Sequence, residues 1–352
     1  MAYYLTDHGP AGPVLGERRP TINEFFLSSY TLHTYAGCEF GCPYCDGWAF
    51  SQRALNETVQ VSLDLPQRLA AELEHVDRGD LIAISALSDP YQPAEQTYRI
   101  TRQVLQIFAD RGQPCLILTK SPTVIEDLPL LRKINERSLA VVMCTLVTAD
   151  PYLGAQIEGR APQPALRIEA LAELKRAGIP VGVAIVPIMP YVNDTDHALR
   201  ALLRALAAVP VDFVVWDYLH IPNERHRARI NEMLSRVGSY PTSYYRDIYR
   251  GQTLPTALYR SERNAEIATR CDGMGVEVRA PHRLYAGKLR PQNEAALLLK
   301  QAAFRDEVAN RLNMAALHRE LATLAYADKI DAARFRVSPL WPTLQEVLQI
   351  DR

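Results

Sequence analysis

The chain has 352 residues, 48% hydrophobic and 22% charged, with a formal net charge of −1. This composition excludes collagen-like, low-complexity and highly charged disordered chains, and it suits one large globular domain with an appendage. The near-zero charge carries no global signature of nucleic-acid binding, and without an apolar run of about 18 residues no helical membrane span is expected. Residues 1–29 read as an irregular lead-in, polar and broken by glycine and proline. They have the pattern of neither a secretory signal nor a transit peptide, so a cytoplasmic location is expected.

From residue 30 a strand-then-helix alternation begins. Short, apolar, partly β-branched runs at 30–35, 81–86, 115–119, 139–145, 181–186 and 212–216 read as buried parallel strands. Helical stretches at about 64–76, 94–111, 123–136, 164–177, 194–207 and 224–236 lie between and after them. Asp64 and Asn193 are candidate N-caps, and Gly178 before Ile179-Pro180 reads as a C-cap. Six β/α units over residues 30–240 fit a partial (β/α)6 TIM-type barrel, an α/β fold; a doubly wound sheet is the alternative from pattern alone. Past 240 the alternation stops. Residues 241–352 read as a C-terminal extension, rich in tyrosine and arginine at first and then mostly helical. It carries a helical pair or one long amphipathic helix over 292–325 and a last helix near 343–350. This extension is expected to pack over the open side of the barrel or to join two subunits.

The most informative segment follows the first strand, in a loop spanning 37–46. It reads Gly37-Cys38-Glu39-Phe40-Gly41-Cys42-Pro43-Tyr44-Cys45. Three thiolates at C-x3-C-x2-C spacing can hold three irons of a [4Fe–4S] cube and leave the fourth iron open, where ordinary ferredoxin-type cubes use four cysteines. A structural zinc site would need a second cysteine pair or histidines, whereas Cys115, Cys144 and Cys271 are scattered singly. His220, His226 and His282 form no convincing metal set. Six cysteines in 352 residues are too sparse for a disulfide framework. In a (β/α) barrel a loop after a strand lies at the carboxyl end, where active sites form.

This loop resembles the cluster motif of the radical S-adenosylmethionine (radical SAM) superfamily. The resemblance implies that SAM chelates the open iron through its amino and carboxylate groups. An electron from reduced flavodoxin or ferredoxin then cleaves the sulfonium, and a 5′-deoxyadenosyl radical abstracts a hydrogen atom from the substrate. The polar strand ends supply candidate partners for SAM. Lys120 and Thr145 could donate to its carboxylate, Ser88 or Asp89 could accept from its ammonium, and Ile188, Val186 and Tyr44 could wall its adenine.

A narrower resemblance, over about residues 25–225, is to the spore-photoproduct-lyase-like branch. It rests on Tyr30-Thr31-Leu32-His33-Thr34-Tyr35, Ser88-Asp89-Pro90-Tyr91-Gln92-Pro93, Leu118-Thr119-Lys120-Ser121, Ile157-Glu158-Gly159-Arg160-Ala161-Pro162 and Ile188-Met189-Pro190-Tyr191-Val192-Asn193-Asp194. It implies SAM-binding roles for Ser88, Lys120 and Thr145, the last a change from serine, and a lyase-like reaction on a nucleobase or nucleic acid. The chain departs from that branch where the lyase carries a hydrogen-donating cysteine after strand two, since Ala86 stands there. Alternation turns Cys144 away from Thr145 toward the helices, which leaves Cys271, in a glycine-containing stretch, as a candidate hydrogen donor. The basic runs Arg225-His226-Arg227-Ala228-Arg229 and Arg279 to Arg290 could meet phosphates, although a solvated surface is the plainer reading. Two alternatives stay open at this point: a radical SAM enzyme acting on a peptide or small metabolite, and a non-enzymatic zinc or iron–sulfur protein.

Overall fold

The computed structural model describes residues 2–9, 12–51, 54–84, 87–238 and 241–350, with side chains in the last segment from residue 244 onward. Eight strands are present among them: β1 (Tyr3–Asp7), β2 (Tyr30–Leu32), β3 (Thr58–Ser62), β4 (Ile82–Ile84), β5 (Cys115–Thr119), β6 (Ala140–Thr145), β7 (Val181–Ile188) and β8 (Phe213–Tyr218). Six of them form one sheet in the order β2-β4-β5-β6-β7-β8, every pair parallel, so β2 and β8 are its outer strands, β8 being bridged at Val214 by Val278. This is the open α/β barrel the sequence leads one to expect.

Alternation along the strands sorts their side chains into two cores. One face packs Ile82, Ile117, Val142, Cys144 and Val183 against the connecting helices through Leu69, Phe108, Leu131, Leu171 and Leu202. The opposite face packs Leu116, Val141, Met143, Ala184 and Val215 against the C-terminal extension through Leu297, Leu321, Tyr326, Phe335 and Leu344. The extension therefore covers the open side of the barrel. Its main part is a helical pair, Pro291–Val308 and Leu312–Tyr326. A buried polar cluster fastens it: Asn293 Nδ2 donates to Asp80 Oδ1 at 2.6 Å, and Arg18 bridges Asp80 and the Asn293 side-chain oxygen at 3.2 and 2.8 Å.

The structure departs from the sequence reading in several places. Tyr3–Asp7, within the supposed irregular lead-in, pairs in parallel with Thr58–Ser62 as a separate two-stranded ribbon. β1 is mostly exposed, so it carries no apolar alternation to read. The stretch at 94–111 is two helices, Pro93–Tyr98 and Ile100–Arg111, broken where Arg99 adopts φ +53°. Asn193 is not a cap. It accepts from Met189 N at 2.6 Å and donates to Val147 O and Pro187 O at 3.0 Å, while Thr195 caps helix Asp196–Ala208. No helix among the described residues is long and apolar enough to cross a membrane.

Candidate active site

The cysteine loop leaves β2 at the carboxyl end of the sheet. Gly37 has φ +94°, and a Cβ there would lie 2.2 Å from the Thr58 carbonyl oxygen, so only glycine fits. Gly41 N donates to Cys38 O at 3.1 Å and Cys45 N to Cys42 O at 3.0 Å, which folds the loop into two successive turns. Outside contacts fix its position. Gln92 donates to Gly37 O and accepts from Glu39 N at 3.0 and 2.9 Å, and Trp48 Nε1 donates to Cys42 O at 3.1 Å. Arg229 stacks on the Trp48 ring with its guanidinium carbon 3.5 Å from the centroid.

An open cleft adjoins this loop. Cys38, Cys42, Cys45, Tyr44, Ser88, Asp89, Lys120 and Thr145 line it, together with Val186, Pro187, Asp217, Tyr218 and His220. Most residues singled out from the sequence are thus gathered on one cleft although they come from five different strand ends.

Two are not. Ile188 is fully buried among the outer, helix-side residues, and the wall it was expected to form is made by Val186 and Pro187. A register shift between Ile185 and Ile188 in the β7–β8 pairing breaks the alternation that would have turned Ile188 inward. Cys271 lies not in a loop but in helix Ala257–Gly273, fully buried on the helix side of the sheet and absent from the cleft lining. It packs as a core thiol. Cys144 likewise faces the helices. Ala86, where the lyase branch has its cysteine, lies outside the described residues.

The lining carries one ammonium, Lys120, and the carboxyls of Asp46, Asp89 and Asp217. Burial raises the thiols of Cys38 and Cys45 to about 11 and that of Cys42 to about 12, so without metal the loop holds neutral thiols. Iron compensates thiolate charge that burial opposes. No three His, Cys, Asp or Glu side chains among the described residues converge closely enough for a single metal ion. Three soft thiols around a cleft, on a loop with no room for a Cβ at Gly37, fit a multi-iron cluster. Lys120 is half-buried, its ammonium 5.7 Å from the Tyr44 ring centroid; burial pulls its pKa down, but Cys42 and Glu158 more than offset this and raise it. It is a cation at the cleft wall. Asp89 accepts from Thr119 Oγ1 and Lys120 N at 2.7 Å and from Tyr91 N at 2.9 Å, so it braces the ends of β4 and β5.

A buried ion pair missed in the sequence supports the cleft. Arg167 Nη2 lies 2.6 Å from Glu158 Oε2, both side chains at most 2% exposed. Arg167 also donates to Thr145 O at 3.1 Å, and Tyr44 donates its hydroxyl proton to Glu158 Oε1. The pair thereby links the cluster loop to the end of β6. The motif around Glu158 was visible, but nothing in the sequence pointed to burial or to Arg167 as partner. The basic run on helix Glu224–Val237 is likewise occupied: Arg225 donates to Ser51 O at 2.7 Å, Arg227 pairs with Glu224, and Arg229 covers Trp48.

Residues 32–203 match the Radical SAM superfamily. An uncharacterized protein of Mycobacterium tuberculosis is 30% identical over 285 residues, covering 78% of this chain and 81% of that one. A radical SAM Nalpha-GlyT isomerase of Pseudomonas phage M6 is 24% identical over 233 residues, 66% of this chain and 47% of the phage protein. A spore photoproduct lyase complexed with dinucleoside spore photoproduct superposes with a TM-score of 0.56 at 13% identity, over 71% of this chain and 76% of the lyase. That likeness establishes a common fold. Taken with the three-cysteine loop at the cleft, these matches place the protein in the radical SAM superfamily.

Proposed function

We propose that this radical SAM enzyme abstracts a hydrogen atom from a nucleobase-containing substrate, with Cys38, Cys42 and Cys45 holding a [4Fe–4S] cluster. The observation that carries the reading is the shared cleft: three thiols on one wall and the Lys120 ammonium on another. Cluster and SAM, when bound, supply one-electron cleavage of the sulfonium to a 5′-deoxyadenosyl radical. The chain's own groups bind and orient. Lys120 and Thr145 receive the SAM carboxylate, Ser88 contributes beside them, and Tyr44 and Val186 give apolar cover. Asp89 holds the backbone from which Lys120 projects. Trp48 and Arg229 shield the outer side of the loop.

Support for the substrate class comes from two relatives. One is a lyase named for its dinucleoside photoproduct, and the other is a phage radical SAM isomerase. Electrons would come from a reduced flavodoxin or ferredoxin in a reducing cytoplasm, which suits six unpaired cysteines. The test is anaerobic 5′-deoxyadenosine formation by reconstituted protein with SAM and dithionite, with no addition, intact DNA or ultraviolet-damaged DNA. Stimulation by either DNA supports the reading. Equal formation in all three arms moves the substrate to peptides or small metabolites. One zinc per chain, with neither iron nor sulfide, overturns the cluster.

A further inference from the structure

Two tyrosine rings stand in solvent beyond the carboxyl ends of β7 and β8. Tyr191 is 49% exposed and Tyr244 44%, and their ring centroids lie 4.9 Å apart with 41° between the planes. They belong to different segments, the turn after β7 and helix Pro241–Tyr249.

Both segments are tied to the cleft. Val186 and Pro187 line it, and the turn that follows is closed by Val192 N donating to Met189 O at 3.0 Å. Asp194 fixes Tyr191 in this turn: its Oδ1 accepts from Tyr191 N at 2.7 Å and its Oδ2 from the Tyr259 hydroxyl. On the helix, Tyr249 donates to the carbonyl oxygen of Leu219, a cleft residue, at 2.7 Å. Met189, Val192, Tyr245 and Tyr249 are buried in one small core with Phe40, Cys42 and Tyr44 of the cluster loop. Tyr191 and Tyr244, next in sequence to Val192 and Tyr245, are left outside that core. Neither ring lines the cleft itself.

Tyr191 also holds φ +59°, the left-handed region that favours glycine or asparagine. A strained backbone that keeps a large ring in water points to a ligand for that ring. Two adjacent ring faces accept another π face whatever its identity, as bases of a single strand require. The charge around them is moderately positive. Residues 244–263 contain Arg246, Arg250, Arg260 and Arg263 against Asp247 and Glu262. Arg246 lies 3.8 Å from Asp247 and Arg263 2.6 Å from Glu266, which leaves Arg250 and Arg260 against Glu262. Such a surface suits an unpaired base followed by phosphates.

We infer that Tyr191 and Tyr244 form a stacking platform beside the cleft for a base of a single-stranded nucleic acid, next to the base that enters the cleft. The inference rests on the nucleobase reading for what enters the cleft, but stacking is measured apart from SAM cleavage.

The test is fluorescence anisotropy on the anaerobically reconstituted full chain. The labelled probes are a short oligothymidylate, an abasic strand of the same length, and a duplex. Tyr244→Ala and Tyr191→Asn are each expected to weaken single-strand binding about tenfold. Tyr244→Trp should keep or tighten it, and Tyr3→Ala, at another exposed tyrosine, should leave it unchanged. The abasic strand and the duplex should bind weakly, and equally to wild type and Tyr244→Ala. Tyr191→Asn should keep the melting temperature, because asparagine tolerates the left-handed backbone. Unchanged single-strand affinity in both variants overturns the platform, as does an abasic strand that binds as tightly as the intact one. Absence of single-strand binding overturns it whatever the cleavage assay gives. If oligothymidylate stimulates SAM cleavage with the same half-saturating concentration in wild type and Tyr244→Ala, the nucleobase reading stands and the platform falls. If single strands bind through Tyr244 while neither intact nor ultraviolet-damaged DNA stimulates SAM cleavage, the platform stands and the nucleobase reading falls.

Discussion

The middle of the sheet and its carboxyl end are built from the same strands but obey different rules. In the middle, Leu116, Val141, Met143 and Val215 on one face and Ile117, Val142 and Val183 on the other are buried against helices, and their packing is apolar throughout. At the carboxyl end the same strands run into Ser88, Asp89, Lys120 and Thr145, and the connecting loop depends on a glycine at 37. The middle is held by shape and tolerates swaps that conserve volume. The end is held by individual hydrogen bonds and charges, so single substitutions there should change chemistry more than stability.

The largest expected effect tests that separation directly. Cys42→Ala should lose the cluster and all SAM cleavage while the far-ultraviolet circular dichroism stays native; iron analysis and a 5′-deoxyadenosine assay check both halves. Next comes Gly37→Ala. The added methyl meets a backbone oxygen at 2.2 Å and φ is +94°, so iron incorporation should fall sharply even though every ligand is present. Retention of full iron content would mean that the loop has more freedom than its packing suggests. The Glu158–Arg167 pair blurs the comparison, being a charged element inside a packed region. Arg167→Met should cost about 3–5 kcal/mol in denaturant unfolding, because it strands a buried carboxylate. Replacing both partners with apolar residues should recover much of this loss. The smallest effect is at Lys120. Lys120→Met should leave unfolding nearly unchanged and weaken SAM binding by about tenfold, or about 1.4 kcal/mol, measured by equilibrium binding to the reconstituted protein.

Legibility in the sequence follows the same division. All six sheet strands could be read, because buried parallel strands are short apolar runs bounded by turns. The cluster loop could be read because thiol spacing is local in sequence. What escaped depends on contacts distant along the chain. Ile188 was misplaced by an irregularity of pairing that leaves no mark on composition. Asn193 looks like a cap, yet its amide is spent on Val147 and Pro187. The Glu158–Arg167 pair looks like two ordinary surface charges until the fold buries them. Arg279 sits in a stretch that reads as a basic surface, and only the three-dimensional arrangement shows it enclosed by Phe25, Phe304 and Trp216.

The C-terminal cover bears on how this protein is made. Asn293 joins Ser29 and Asp80, partners 264 and 213 residues earlier in the chain. During synthesis the strands leave the ribosome long before the helices Pro291–Val308 and Leu312–Tyr326 exist to cover them. Until then Leu116, Val141, Met143 and Val215 lack the partners Leu297, Leu321, Phe335 and Leu344, and such exposed apolar surface draws chaperones or aggregates. A chain stopped at residue 240 would keep every cysteine of the loop and every strand of the sheet, yet it would lack the residues that keep the sheet dry. The last third of the gene is therefore as much a condition for a folded site as the cysteine loop itself.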